Sequence, residues 1–288
     1  MSGGVVIIDK PGGWTSHDVV ARLRGLFGER RIGHGGTLDP MATGVLPVFV
    51  GKATKAVEFC ESADKEYIAS VRLGIVTDTQ DTTGSVISRS DGCVGREEFE
   101  SALRRFVGEQ MQLPPMYSAV KVGGRKLYEI ARKGKSVERV PRRITIKELE
   151  LLSGAENEYR FRVVCSKGTY IRTLCHDVGI QLGCGGAMAS LRRTRAGRFL
   201  LRDAVMLETV AAKCADGGGR ELLLPVETLF DDLPRITVGA DDERRCRCGA
   251  PVTLPEHDGR YRICSVDGEF LLIGDLSDHR LSVVKSFY

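Results

Sequence analysis

The sequence predicts an α+β fold: a larger domain over residues 1–233, on a mixed and largely antiparallel sheet flanked by helices, then a small all-β module over residues 234–288. Three observations predict it. The chain has 288 residues, more than one domain of about 100–200 residues holds. Apolar strand-like runs and amphipathic helical stretches interleave, without the regular alternation that a parallel α/β sheet demands. Past Leu233-Pro234 the pattern turns to short strand-like runs at 236–238, 261–266, 270–273 and 281–284, broken by Asp258-Gly259 and Asp267-Gly268. A module of about 55 residues stands near the lower limit for independent folding.

Residues 5–8 are an apolar strand, broken by Pro11-Gly12-Gly13. Thr15 or Ser16 then caps a helix that buries Val20, Leu23, Leu26 and Phe27, and Thr15 with Asp18 has capping-box spacing. Residues 31–44 are glycine-rich and predict a loop, and 45–50 a buried strand. Residues 67–73 alternate, with Tyr67, Ala69, Val71 and Leu73 on one face of a strand. Residues 97–107 form an amphipathic helix with Phe99, Leu103 and Phe106 on its stripe, and 127–133 a short helix stopped by Gly134. Strands follow at 144–152 and 159–165. Thr169 is the expected cap of a helix with Ile171, Leu174, Val178 and Leu182 inward, closed by Gly183. Residues 215–219 (ADGGG) read as an exposed loop or hinge.

Composition narrows the function classes. No apolar run approaches the roughly 20 residues of a membrane helix. The first apolar run has no basic segment before it, so it is expected to be a strand rather than a secretory signal. Nine cysteines lie without a pairing framework, and the CxC at Cys246 and Cys248 lacks a second pair at zinc spacing. A reducing cytoplasm is the expected compartment. The net charge of +4 is small, but its distribution is uneven. Residues 121–143 carry net +7 and residues 192–202 carry +5, so the rest of the chain carries −8. Two basic patches on an acidic body fit a polyanion bound at a defined place.

The densest unusual segment is GHGGTLDPMATG, residues 33–44. Glycines this frequent cost backbone entropy and imply tight turns or close approach to a ligand. Pro40 biases Asp39 towards extended geometry, so its carboxylate is presented from a stiff loop. The spacing is not that of a phosphate loop, since Gly51-Lys52 is followed by Ala53, and it leads into a strand where a dinucleotide fingerprint leads into a helix. On these residues alone, an ordinary turn with Asp39 as its capping side chain remains open.

GHGGTLDPMATGVLPV (33–48) resembles the catalytic motif of the TruB-type tRNA pseudouridine-55 synthases. The resemblance continues in order through DKPGGWTS (9–16), KEY (65–67) with RLG (72–74) and TDTQD (77–81), PPMYSAVK (114–121), SKGTYIRTL (166–174) and LRRT (191–194). It implies a pseudouridine-synthase fold, with a C-terminal module similar to a PUA-like RNA-binding domain. It implies isomerisation of uridine to pseudouridine in the T-loop of tRNA, with no cofactor or metal and no obligate protein partner, by a cytoplasmic monomer that contacts the T-arm and the acceptor end. By this resemblance Asp39 is the essential carboxylate, Arg172 its ion-pair partner and Tyr67 the ring that stacks on the extruded base. His34 occupies the place that base leaves, Tyr170 and Leu191 approach the substrate, and Lys10 of the first motif either approaches the site or is structural. Lys121, Arg125, Lys126 and Arg132, with Tyr117 and Tyr128 nearby, are expected to grip RNA phosphates, as are Arg192 and Arg193 beside the site. Cys175, Cys184, Cys246 and Cys248 fall outside these motifs and read as packing or surface thiols. Competing readings are a non-catalytic RNA-binding protein on the same scaffold and an enzyme acting on ribosomal or small nucleolar RNA.

Overall fold

The computed structural model describes residues 3–92 and 94–288. β1 (Gly4–Lys10) is the first apolar run, buried along almost its whole length. α1 (Ser16–Phe27) starts at Thr15, whose side chain accepts from the Asp18 N–H at 3.0 Å while the Thr15 N–H donates to the Asp18 carboxylate at 2.8 Å. The helix ends at Gly28, with φ 61°, and packs Val19, Val20 and Leu23 inward. β2 (Ile32–His34) is a short strand where the sequence predicts loop, and it pairs with β3 (Thr43–Val50). β4 (Lys65–Leu73) buries every second residue, as its alternation requires. α2 (Arg96–Arg104) buries Phe99 and Leu103 and stops before Gly108, whose φ is +112°. β5 (Gly108–Gln112), β6 (Arg142–Ala155) and β7 (Glu158–Cys165) follow. After them come α3 (Ile171–Gln181), β8 (Gly186–Ala196) and α4 (Leu207–Ala215).

The main sheet runs β1-β3-β8-β4-β7-β6-β5, with β2 pairing on β3. Its pairings are antiparallel except β3 with β8, where Thr43 and Gly44 run parallel to Arg192 and Arg193. One face carries Val6, Ile8, Tyr67, Ala69, Val71, Phe161, Val163 and Leu191, covered by α1, α2, α3 and α4. On the other face Val5, Ile7, Val45 and Phe49 meet Phe230, Ile273 and Phe287. There the rings of Phe230, Phe270 and Phe287 lie 4.9–5.8 Å apart and tie the last module to the sheet.

That module has strands β9 (Arg235–Val238), β10 (Gly259–Ser265), β11 (Phe270–Ser277) and β12 (Arg280–Ser286) in the order β9-β10-β11-β12. It is not all-β: α5 (Ala240–Cys248) lies between β9 and β10. The helix hides from a periodicity reading because Cys246 is the residue it buries, so it shows no apolar stripe. Its signals are electrostatic, with Asp241, Asp242 and Glu243 in the first turn, Arg245 and Arg247 in the last, and Gly249 in the left-handed cap. A second correction concerns α3. Thr169 does not cap it but donates to Ser166 O at 2.9 Å, and Tyr170 stands at the cap position without a capping side chain.

Candidate active site

Asp39 sits in the connection between β2 and β3, on the helix-covered side of the sheet. The turn Asp39-Pro40-Met41-Ala42 is closed by the Ala42 N–H donating to Asp39 O at 3.0 Å, with proline at the position that its fixed φ favours. Gly44 then lets β3 abut β8. Its φ is +100°, and a Cβ there would lie 2.2 Å from Arg193 O. Glycine at this place in the segment is a packing requirement as well as a conformational one.

Arg172, in the first turn of α3, is 5% exposed and faces Asp39 side-on. Its Nε is 2.9 Å from one carboxylate oxygen, a close charge contact, and Nη2 donates to the other at 3.2 Å. The rest of the guanidinium is also committed: Nη1 donates to Thr79 O at 2.9 Å and Nη2 to Tyr117 O at 2.7 Å. A second carboxylate, Asp81, lies 3.7 Å from Nη1. Asp81 is itself held by the Thr79 hydroxyl at 2.8 Å, the Thr83 N–H at 3.0 Å and the Thr83 hydroxyl at 2.6 Å. A guanidinium with this many fixed acceptors has one available geometry, and Asp39 inherits it. Burial pushes the Asp39 carboxyl above the ordinary carboxylate range. Arg172 pulls it back, the nearby Asp81 charge adds to the rise, and Lys10 opposes it.

Tyr67 and Leu191 stand on the neighbouring strands β4 and β8, facing the same side, and are 8% and 7% exposed. Burial raises the pKa of the Tyr67 phenol, and the nearby Arg193 charge opposes the rise. Tyr170, half-buried, has its phenol raised by burial and is close enough to be influenced by Asp39 and Arg172. His34 packs edge-on against His17 with centroids 5.5 Å apart. Burial lowers its pKa to about 4, so its ring is neutral near pH 7. A carboxylate clamped by arginine beside a buried phenol ring and a neutral imidazole suits a flat, uncharged heterocycle attached to a sugar.

The sequence carries the same assignment. Residues 24–171 match the TruB family pseudouridylate synthase N-terminal domain, and residues 172–231 match the tRNA pseudouridylate synthase B C-terminal domain. The chain belongs to the TruB family. It is 45% identical over 278 residues to tRNA pseudouridine synthase B of Geobacillus thermodenitrificans, covering 94% of this chain and 90% of that relative. To the same-named protein of Ectopseudomonas mendocina it is 44% identical over 280 residues, with 96% and 92% covered. Among solved structures, a Cbf5-Nop10-Gar1 complex contains a chain that superposes with a TM-score of 0.76 at 29% identity, over 99% of this chain and 85% of that one. An H/ACA RNP bound to a substrate RNA containing 2′-deoxyuridine gives 0.76 at 26% identity, with the same coverages.

Within this TruB-family site, two sequence expectations need correction, those for Lys10 and Arg193. Lys10 is fully enclosed, and its ammonium donates to Pro11 O at 2.8 Å, Trp14 O at 2.6 Å and Pro40 O at 3.3 Å. It braces the turn after Asp39 and has no surface to offer a substrate; burial lowers its pKa to about 8. Arg193 is 1% exposed and spends its guanidinium on Val45 O at 2.7 Å and Gly36 O at 3.0 Å, so it is not available to a phosphate. Arg192, its neighbour on β8, leaves from the opposite face of the sheet and is paired with Asp9 at 2.7 Å and Thr43 at 3.2 Å. In the other basic patch Arg143 is paired with Glu109 and Arg139 donates to Pro114 O, while the four cations expected to meet RNA carry no such commitment. Lys121, Arg125 and Arg132 are exposed and Lys126 is half-buried. None of the four is ion-paired to a carboxylate among the described residues. Lys121–Val122 and Arg125–Lys126 form a hairpin turned by Gly123 and Gly124, both at positive φ. Lys126 and Arg132 lie over the Tyr128 ring at 5.5 and 5.3 Å. The hairpin grows from the segment whose Tyr117 carbonyl holds Arg172.

Sequence reasoning missed Asp81, although it quoted the run that contains it. The clustering of Thr77, Asp78, Thr79 and Thr83 around it was the available signal. In the sequence Ser16 reads only as a candidate helix cap and Gln112 has no role; both are buried polar residues. Cys175, Cys184 and Cys246 are buried and Cys248 is exposed on α5.

Proposed function

We propose that this chain isomerises a uridine in the T-loop of tRNA to pseudouridine, with Asp39 as the reacting carboxylate. The observation that supports the reading is the side-on Arg172–Asp39 pair set beside the Tyr67 ring. The N1–C1′ bond of the nucleoside breaks, the uracil turns, and C5 joins C1′; the C5 hydrogen leaves as a proton and N1 takes up a proton from water. Atoms and electrons balance within the nucleotide and water. Arg172 favours the ionised form of Asp39 against the effect of its burial. The Tyr67 ring supplies the stacking surface that an extruded base loses, and Leu191 and Tyr170 contact the same base. The neutral His34 ring is suited to fill the space left in the RNA, because it brings no charge to desolvate. The free cations Lys121, Arg125, Lys126 and Arg132 grip the T-arm backbone, and the module over residues 234–288 acts as a PUA-like contact for the acceptor end. A monomer in the cytoplasm needs nothing further for this reaction.

The rival is a guide-RNA-dependent enzyme, favoured by the superposition on chains of H/ACA particles. The higher identity to the tRNA pseudouridine synthase B relatives, 45% against 29%, favours tRNA. The deciding experiment is tritium release from C5-labelled uridine in a free T-arm RNA. Release by the wild type and none by Asp39→Asn, with RNA binding kept, supports the reading. Tight binding without release by either protein overturns it.

A further inference from the structure

Two buried side chains outside the ion pair each grip a backbone unit that leads directly to it. Ser16, the first residue of α1, is 1% exposed. Its hydroxyl accepts from the Leu38 N–H at 2.9 Å and donates to Leu38 O at 3.2 Å, across 22 residues of sequence. Leu38 immediately precedes Asp39. Gln112, the last residue of the edge strand β5, is 5% exposed. Its amide accepts from the Tyr170 N–H at 2.8 Å and donates to Tyr170 O at 3.0 Å, across 58 residues. Tyr170 is the cap residue of α3, two positions before Arg172, and brings no capping side chain of its own. A hydroxyl or a carboxamide can serve both groups of a residue at once, because each both donates and accepts. Neither an apolar nor a charged residue of similar size does so.

We infer that Ser16 and Gln112 are positioning residues for the Asp39–Arg172 pair. One clamps the carboxylate's loop to α1, the other clamps the start of α3 to the sheet edge, and together they fix the distance between two groups from different parts of the chain. The pair then has its reactive geometry before RNA arrives, and no part of the RNA's binding energy is needed to form it. Ser16 and Gln112 touch no reacting atom. The inference rests on the reading of Asp39 as the reacting carboxylate.

The test uses full-length wild type, Ser16→Ala, Gln112→Met and the double variant. The titration of the Asp39 side chain is followed by NMR of 13C-labelled aspartate, with Asp39→Asn to assign the signal, and single-turnover tritium release is measured at saturating enzyme. Each single variant is expected to move the Asp39 midpoint upward by about one unit, since a loosened arginine stabilises the carboxylate less. Each is expected to slow single-turnover release roughly 10- to 100-fold, with the RNA Kd within about twofold of wild type. The double variant loses less than the product of the single losses, because both clamps are needed to set one distance and losing either already frees it. An unmoved Asp39 midpoint in Ser16→Ala, or a rate loss explained by weaker RNA binding, overturns the inference. Should Ser16→Ala fail to fold, Gln112→Met decides on the same criteria. A wild type that releases no tritium refutes the proposed function, while the NMR titration still judges the clamps.

Discussion

Arg193→Met separates two roles for one arginine. Its sequence context, among five arginines, suggests a phosphate contact. The structure encloses it and gives its guanidinium two carbonyls, Val45 O at 2.7 Å and Gly36 O at 3.0 Å. Hydrogen bonds from a charged donor contribute about 1.5–3 kcal/mol each. The lower end applies here, because removing a buried charge also recovers its desolvation. Two bonds at that value give a loss of about 3 kcal/mol, with the carbonyls left unpaired. At about 2–4 °C per kcal/mol for a domain of this size, the main transition falls by roughly 6–12 °C. Thermal unfolding followed by circular dichroism reads this, and RNA binding across a salt series reads the alternative. A phosphate contact would contribute nearly one unit to the slope of log K against log salt. An unchanged Tm with a slope reduced by about one would refute the buried role.

Three further outcomes follow from the site. Arg172→Met removes the cation that opposes burial at Asp39, so the carboxyl rises further, by about 1–3 units; the variant's residual single-turnover rate then climbs with pH across a range where the wild type is flat, and a pH-independent residual rate would count against this. Reversing Arg125 and Lys126 to glutamate weakens T-arm binding and lowers the salt slope by about 1.5 or more, since each phosphate contact contributes about 0.7–0.9; an unaltered slope takes the hairpin out of the interface. His34 has a folded pKa of about 4, below its ordinary 6.5. The unfolded chain therefore takes up the proton first, and the stability present above pH 6.5 is lost as pH falls towards 4. Denaturant titrations should show His34→Phe losing less over that window than wild type, and parallel losses would exclude the effect.

The parts of the fold legible in the sequence are those with a local signal. β1 is an uninterrupted apolar run, β4 alternates, and α1 opens on a capping box. β8 was illegible although it lies inside the sheet, because Arg192, Arg193 and Arg195 make it look like a solvated patch. Those charges are absorbed by partners distant in sequence: Arg193 by the carbonyls of Val45 and Gly36, and Arg192 by Asp9 of β1. Helix α5 failed for the opposite reason. Its charges are the signal, and it buries too little to show a stripe.

The same distinction governs the site. Asp39, Arg172 and Tyr67 belong to contiguous motifs, so a reader of motifs finds them. Lys10 belongs to a motif too, and its motif misleads, since a lysine near a carboxylate invites a substrate role. What decides its role is three carbonyl oxygens, from Pro11, Trp14 and Pro40, that surround its ammonium. Carbonyls are present at every residue, so nothing in the identity of Pro40 announces that it will accept from Lys10. Ser16 and Gln112 are hidden in the same way, because their partners are the peptide groups of Leu38 and Tyr170 rather than any side chain. Side-chain pairs such as Arg172 with Asp39 constrain both residue types and so leave a mark in sequence. Side-chain-to-backbone contacts constrain one residue and leave the other free. The groups that set the geometry of this site are therefore less visible than the groups they position, and substitutions at Ser16 and Gln112 are where that difference can be measured.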